Sequence, residues 1–248
     1  MNNLPESVRS IVDDLNDLKD PILASAVESL CLSKDFHSLS SLELLNQLLM
    51  PVCEQKMDNR FKGRLDKAHL SGCPQTIDNC KDSSERAYLP TDIVSTLSNL
   101  SFIEEGLNIC ILGPSDSGKS YLAKALAVMA CFRHMVSYEH CEPFLESMVS
   151  LKEADYAKYQ KKIRHYIKLD LLVLDDFLLH TITDEREIKV LFEIMEKRNE
   201  LSRSTICCSQ RDPKSWPAMI LNDEVSANSI MKRATKHYTV VIQPMNEQ

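Results

Sequence analysis

Apolar residues along this chain change their spacing once, and the change divides it. In the first part they recur every three or four positions: Val8, Ile11, Val12, Leu15 and Leu18, then Leu23, Val27 and Leu30, then Leu44, Leu45, Leu48 and Leu49. That is the spacing of helices with one apolar face. Ser40, with Glu43 three positions on, forms a capping-box pattern that opens the third helix. Pro51 falls inside this pattern and predicts a kink or a break, because proline has no N–H to donate and its ring crowds the preceding turn. The stretch from Ser71 to Ser84 is polar and aperiodic, with Gly72 and Pro74, and reads as a linker. A helix is expected over Pro90 to Leu100, with Pro90 in its first turn.

From Leu107 onward, short apolar runs alternate with helical patterns. Strands are expected at Leu107–Leu112, Met135–Tyr138, Leu169–Leu174, Ser204–Gln210 and His237–Ile242. Helices are expected at Tyr121–Phe132, Pro143–Leu151, Ala154–Ile167, Asp184–Asn199 and Glu224–Lys236. This alternation predicts an α/β fold, a parallel sheet flanked by helices. The expected organisation is a small N-terminal helical domain over residues 1–72, a linker over 73–89 and the α/β domain over 90–248.

The candidate chemistry lies between the first of these strands and its helix. Gly113, Pro114, Ser115, Asp116, Ser117, Gly118, Lys119 and Ser120 spell GPSDSGKS, a P-loop in the strand–loop–helix setting it requires. Two of the chain's five glycines occupy the motif's glycine positions. Together with Tyr121, which follows, these residues are the candidate nucleotide site. Backbone N–H groups and the Lys119 ammonium would hold the phosphates of ATP, with Ser120 on Mg²⁺. The run LDLLVLDD closes a second apolar strand with two carboxylates, a Walker B pattern. Asp175 would orient the Mg²⁺ shell and Asp176 would polarise the attacking water; two such aspartates could instead cap the following turn. Gln210, with Ser209 before it, stands where a polar group can hold that water in line. Arg233 suits an arginine finger acting on a neighbouring subunit or, equally, a surface position.

Lys56, Arg60, Lys62, Arg64 and Lys67 crowd one stretch, and four of them follow i, i+4, i+8, i+11 spacing along one helix face. Such a stripe either tracks a phosphate backbone or forms a solvated charged face. The net charge of −7 excludes a uniformly basic nucleic-acid binder, so any DNA contact must be regional. Nine irregularly spaced cysteines, several inside apolar runs, predict reduced thiols and a cytoplasmic protein, and Cys73 and Cys80 lack zinc-finger spacing. No signal-peptide pattern and no run of eighteen apolar residues is present, so neither export nor membrane insertion is expected.

Taken in order, GPSDSGKS, LLVLDD, STICCSQ and the late Ile-Met-Lys-Arg before a closing strand resemble the IstB-like ATPases, AAA+ helpers of insertion-sequence transposition related to the DnaC helicase loaders. The resemblance extends to the leucine-rich helix running into a basic stretch between Ser40 and Leu70, to Phe102–Gly106 and to Asp212–Trp216. It implies an AAA+ fold and an ATPase that assembles with itself on double-stranded DNA and activates a partner transposase. On this resemblance Asp175 and Asp176 match the family's acidic pair and Arg233 its late arginine, and the basic stripe becomes a DNA contact. Asp116 stands where the family has a small residue, and Gln210 where it has Asn. Either difference would weaken nucleotide binding or slow turnover. A helicase-loader-like module and a nucleotide-binding assembly scaffold are the other readings of the same motifs.

Overall fold

In the computed structural model, residues 4–220 and 224–245 are described, so the outermost residues of both expected domains lie outside them. The chain forms two compact units, Met1–Gly63 and Arg64–Gln248. The boundary therefore falls inside the third helix, upstream of the expected limit at residue 72.

The first unit is helical. Helix α1 covers Glu6–Asp17 and α2 covers Pro21–Cys31. Asp20 caps α2, its Oδ1 accepting from the Leu23 N–H at 3.2 Å, and Pro21 occupies the first turn. Helix α3, Ser41–Lys67, begins at the expected capping box: the Ser40 N–H donates to Glu43 Oε2 at 2.7 Å and the Glu43 N–H returns to Ser40 Oγ at 3.4 Å. Of the kink or break expected at Pro51, the break does not occur. α3 is one continuous helix with Pro51 inside it, so the propagating turns on either side outweigh the lost backbone bond.

The second unit is a three-layer α/β structure. Its elements in order are β1 (Arg86–Leu89), α4 (Ile93–Ser98), α5 (Ser101–Glu104), β2 (Ile109–Leu112), α6 (Lys119–Ala130), β3 (Val136–His140), α7 (Cys141–Ala154), α8 (Tyr156–Lys168), β4 (Leu171–Asp175), α9 (Glu185–Glu200), β5 (Ser204–Ser209), α10 (Trp216–Met219), α11 (Glu224–Ala234) and β6 (Tyr238–Pro244). The expected strands and helices are present, with ends shifted by a few residues. Two differences matter. The helix expected over Pro90–Leu100 is two short ones, separated at Leu100 by a left-handed residue, φ 61°. The stretch 73–89 contains a turn of 3₁₀ helix, Ile77–Asn79, and strand β1, which pairs antiparallel with β6. With only four residues and no apolar alternation, β1 carries too little pattern to be read as a strand.

Strand order is β1-β6-β2-β5-β4-β3, and all pairings except β1 with β6 are parallel. From β2 the chain crosses through α6 to β3 at one edge, and from β5 it returns past β2 to β6. These opposite directions open a crevice beyond the carboxyl ends of the central strands, where ligands bind in such sheets. Strands β2, β4 and β5 are buried along almost their whole length, as a sheet covered on both faces requires.

A buried cation and a buried amide brace this sheet. Arg198 on α9 is 1% exposed, and donates to Thr205 Oγ1 at 3.0 Å and to the carbonyls of Tyr166 at 2.6 Å, Leu169 at 3.0 Å and Ser204. Burial pushes its pKa down to about 9. Asn108, just before β2, donates to the Arg233 carbonyl at 2.8 Å and accepts from the Thr205 N–H at 2.8 Å. The nine cysteines are all unpaired, as expected. Among the described residues no helix is long and apolar enough to cross a membrane.

Candidate functional site

The P-loop follows β2 directly and ends where α6 begins at Lys119. Glycine is required at both of its ends. A Cβ on Gly113 would lie 2.6 Å from the Ile242 carbonyl and 2.7 Å from Ser117 Oγ, and Gly118 has a φ of 102°. Asp116 is exposed with a φ of 58°, the left-handed conformation that aspartate tolerates better than most residues. Pro114 and Ser115 are exposed beside it, and Ser120 is half-buried one residue into α6. The Lys119 side chain is 6% exposed and donates to the Pro114 carbonyl at 2.6 Å. Burial pushes its pKa down, and nearby acidic groups, Asp175 and Asp176 among them, oppose that shift. An ammonium held by its own loop, at the positive end of a helix, favours an arriving anion.

The acids face it from β4. Parallel pairing aligns Leu112 with Ser209, Leu174 with Cys207 and Asp175 with His140, so the P-loop, the end of β5 and the acids share one crest of the sheet. Asp175 is 1% exposed. One of its oxygens, Oδ2, accepts from the Tyr138 hydroxyl, and the other, Oδ1, is buried with no hydrogen-bond partner. A buried carboxylate oxygen without a donor is costly in itself and is suited to a cation. Tyr138 also interacts with Ser120, which links the two residues expected to hold Mg²⁺. The donor set of Asp175 carboxylate and Ser120 hydroxyl is oxygen-only and fits Mg²⁺. Asp176 is half-buried at a φ of 54°, where the chain turns out of β4, and its Oδ2 lies 3.2 Å from His140 Nδ1. Asp175 thus ends the buried strand, and Asp176 begins the turn that follows it.

The remaining expected residues divide. Gln210 is exposed immediately beyond β5, and Ser209 Oγ accepts from the Arg211 N–H at 3.2 Å. The Tyr121 hydroxyl is turned to the 73–89 stretch, where it accepts from the Thr76 N–H at 3.4 Å and Asn79 Nδ2 at 3.1 Å. Arg233 lies at the opposite end of the sheet. Asn108 ties its carbonyl to the amino end of β2, whose four residues span about 13 Å before the P-loop starts. Its guanidinium pairs with Glu196 on α9, donates to the Ser229 carbonyl at 3.0 Å and sits 5.8 Å from the Phe192 ring. It is therefore remote from its own P-loop.

The basic stripe is split as well. Lys56, Arg60 and Lys62 are exposed in the first unit and Lys67 is exposed in the second. Arg64 is half-buried, and donates to the carbonyls of Cys131 at 3.3 Å and Phe132 at 2.5 Å. It donates to backbone acceptors at the carboxyl end of α6 and is not a free surface cation.

Three residues near the site escaped the sequence reading. Tyr138 and His140 alternate along β3 and reach the acids only because β3 pairs with β4. Arg86 on β1 rests on the P-loop: a Cβ on Gly118 would lie 2.6 Å from Arg86 Nη1. The only signal for the first two was two polar aromatic residues near the end of a short strand.

The family of IstB-like ATP-binding proteins matches residues 13–247. A putative insertion sequence ATP-binding protein of Sinorhizobium fredii, y4pL, is 31% identical over 226 residues, 90% of this chain and 88% of that protein. The putative ATP-binding protein of insertion sequence IS232 of Bacillus thuringiensis is 32% identical over 144 residues, 58% of this chain and 56% of that protein. Among solved structures, the DnaC helicase loader has a TM-score of 0.54 at 16% identity, covering 68% of this chain and 97% of that one. The replication initiator DnaA bound to AMPPCP and single-stranded DNA has a TM-score of 0.54 at 22% identity, covering 69% of this chain and 50% of that one. These structural likenesses establish that the second unit shares its fold with DnaA and DnaC.

Proposed function

We propose that this chain, which belongs to the family of IstB-like ATP-binding proteins, is an ATP-hydrolysing transposition helper that assembles with copies of itself on duplex DNA and activates a partner transposase. The observation that carries the ATPase reading is the facing pair of the P-loop and the acidic end of β4, with Lys119 held inside its loop and Asp175 Oδ1 buried without a partner. Backbone N–H groups of Gly113–Gly118 and the amino end of α6 bind the triphosphate, and Lys119 exchanges the Pro114 carbonyl for a phosphate oxygen. Asp175 and Ser120 would hold Mg²⁺, which when bound would supply neutralising charge at the phosphates. Asp176 takes the proton of the attacking water, and Gln210, at the end of the neighbouring strand, orients that water. Arg233 acts on the nucleotide of a neighbouring copy, since its position excludes its own. Lys56, Arg60, Lys62 and Lys67 contact DNA phosphates. Leu42, Leu45 and Leu49, exposed on α3, offer a surface for the transposase or for another copy.

The test is ATP turnover with and without duplex DNA in the wild type, Lys119→Ala and Asp176→Ala. Turnover is expected in the wild type, rising with DNA, and is expected to be lost in both variants. Equal rates in all three would sink the enzyme reading. Sizing the protein on long duplex DNA checks assembly; growth independent of ATP would remove the nucleotide-controlled part.

A further inference from the structure

Arg86 reaches the P-loop from the side of the sheet opposite the acids. In the strand order β1-β6-β2-β5-β4-β3, the acidic end of β4 lies two strands from β2 on one side, and β1 lies two strands from it on the other. Leu112, the last residue of β2, is aligned with Val241, and β6 runs on to Pro244, which pairs with Arg86. At about 3.3 Å per residue, β6 therefore extends about 10 Å past the end of β2. Because β1 is antiparallel, its first residue stands at this crest. Its guanidinium lies on the loop: a Cβ on Gly118 would be 2.6 Å from Arg86 Nη1 and 3.7 Å from Cζ.

The charge placed there is poorly compensated. The Arg86 side chain is 33% exposed, and among the described residues its one ion pair is with Glu85, 3.8 Å away on a carboxylate that is 80% exposed. It also interacts with the buried Tyr88, whose phenol carries no charge to offset it. Gly118 is the N-cap of α6, so Arg86 sits at the positive end of that helix, against the residue that precedes Lys119. A cation at a helix amino end is unfavourable by itself. Two cations, a helix amino end and the loop N–H groups become favourable neighbours when a polyanion joins them. A simple brace between β1 and the loop would need a side chain at this point, but not a charge.

We propose that Arg86 binds the α- and β-phosphates of the nucleotide, as a second cation of the P-loop beside Lys119. Its planar guanidinium offers paired donors that match phosphate oxygens. Position makes the assignment. The acids face the terminal phosphate from the β4 side, which leaves the inner phosphates to a cation arriving from β1. This role rests on the P-loop being the nucleotide site. Both inner phosphates are present before and after hydrolysis, so Arg86 contributes binding that turnover leaves unchanged.

The test is calorimetric titration of the full chain with ADP and with the non-hydrolysable ATP analogue AMPPCP, in the wild type, Arg86→Gln and Arg86→Lys. Arg86→Gln is expected to bind both nucleotides about tenfold or more weakly, and in equal measure, the scale of a lost charged hydrogen bond. Arg86→Lys keeps the charge and is expected to recover about threefold or more of that loss. Wild-type affinity in Arg86→Gln, a loss confined to AMPPCP, or Arg86→Lys binding as weakly as Arg86→Gln would overturn the proposal; the last would mean that the side chain only shapes the loop. If the wild type binds both nucleotides and the variants match it, only the role of Arg86 fails. If the wild type binds neither, the nucleotide site itself fails.

Discussion

Tyr138 gives its hydroxyl hydrogen to Asp175, the acid that ends the central strand β4. Both are buried, at 4% and 1% exposure. Burial pushes the Tyr138 pKa up, and its bond to Asp175 raises it further, so the phenol remains a donor across the working pH range. The tyrosine thus fixes one carboxylate oxygen, and the other accepts no hydrogen bond from it.

Removing that hydroxyl takes away the hydrogen bond that Asp175 Oδ2 accepts from Tyr138. Tyr138→Phe is expected to lower stability by about 1 to 3 kcal/mol, the cost of an unpaired buried acceptor. A divalent cation with ATP gives the carboxylate a partner again, so the deficit is expected to shrink when both are added. Denaturant unfolding with and without Mg²⁺ and ATP measures it; an undiminished deficit would show that Asp175 takes no part in cation binding.

The split of the basic stripe separates DNA contact from folding. Changing Lys56, Arg60 and Lys62 together to Ala is expected to weaken duplex binding and to make its log–log salt slope shallower, by up to about 0.9 for each phosphate no longer neutralised. Arg64→Ala is expected to act differently, lowering stability by about 1 to 3 kcal/mol through loss of the charged hydrogen bonds to the Cys131 and Phe132 carbonyls while leaving the salt slope nearly unchanged. Binding measured at several salt concentrations, alongside thermal unfolding, distinguishes the two. An unchanged slope in the triple variant would return the stripe to the solvated surface.

Arg233 is held by Glu196 in its own chain, yet lies at the far end of the sheet from its own P-loop. A role across an interface requires release from Glu196. Arg233→Ala is expected to keep ATP affinity within about twofold and to lose DNA-stimulated turnover by about tenfold or more, a cautious floor for a missing finger. Glu196→Gln, which weakens the restraint without removing the cation, is expected to retain turnover. If Arg233→Ala hydrolyses ATP normally, the arginine is a structural partner of α9.

At the start of α3, the Ser40 hydroxyl first and the Ser40 N–H second hold the Glu43 carboxyl below its ordinary value of 4.5. The unfolded chain therefore binds more protons between the two values, and stability gained from the cap is present above about 4.5 and lost as pH falls through the lower folded value. Glu43→Ala is expected to reduce helicity at neutral pH, with the difference from wild type closing as the pH falls through the lowered folded value. Circular dichroism against pH follows it; a gap that persists in acid would mean the carboxylate is not the stabilising group.

Local pattern determined most of the architecture. The three- and four-residue spacing around Leu15 and Leu45, the Ser40–Glu43 cap, the apolar runs at Ile111 and Val173, and the P-loop between a strand and a helix each depend on neighbours in sequence, and each is present. So are the fold class and the family, because loop chemistry and strand ends carry them. Local pattern left a kink and a break both open at Pro51, where α3 runs on as one helix because the turns on both sides outweigh one lost bond, and it missed β1, where pairing with β6 defines a strand that four residues do not announce. Only the tertiary structure decided which side chains meet. Sheet pairing put Tyr138 and His140 beside the acids, the last turn of α3 committed Arg64 to the end of α6, and Asn108 set Arg233 at the wrong end of the sheet for its own nucleotide. Pairings between residues dozens of positions apart leave no period in a sequence, since their spacing is set by strand order and not by the chain.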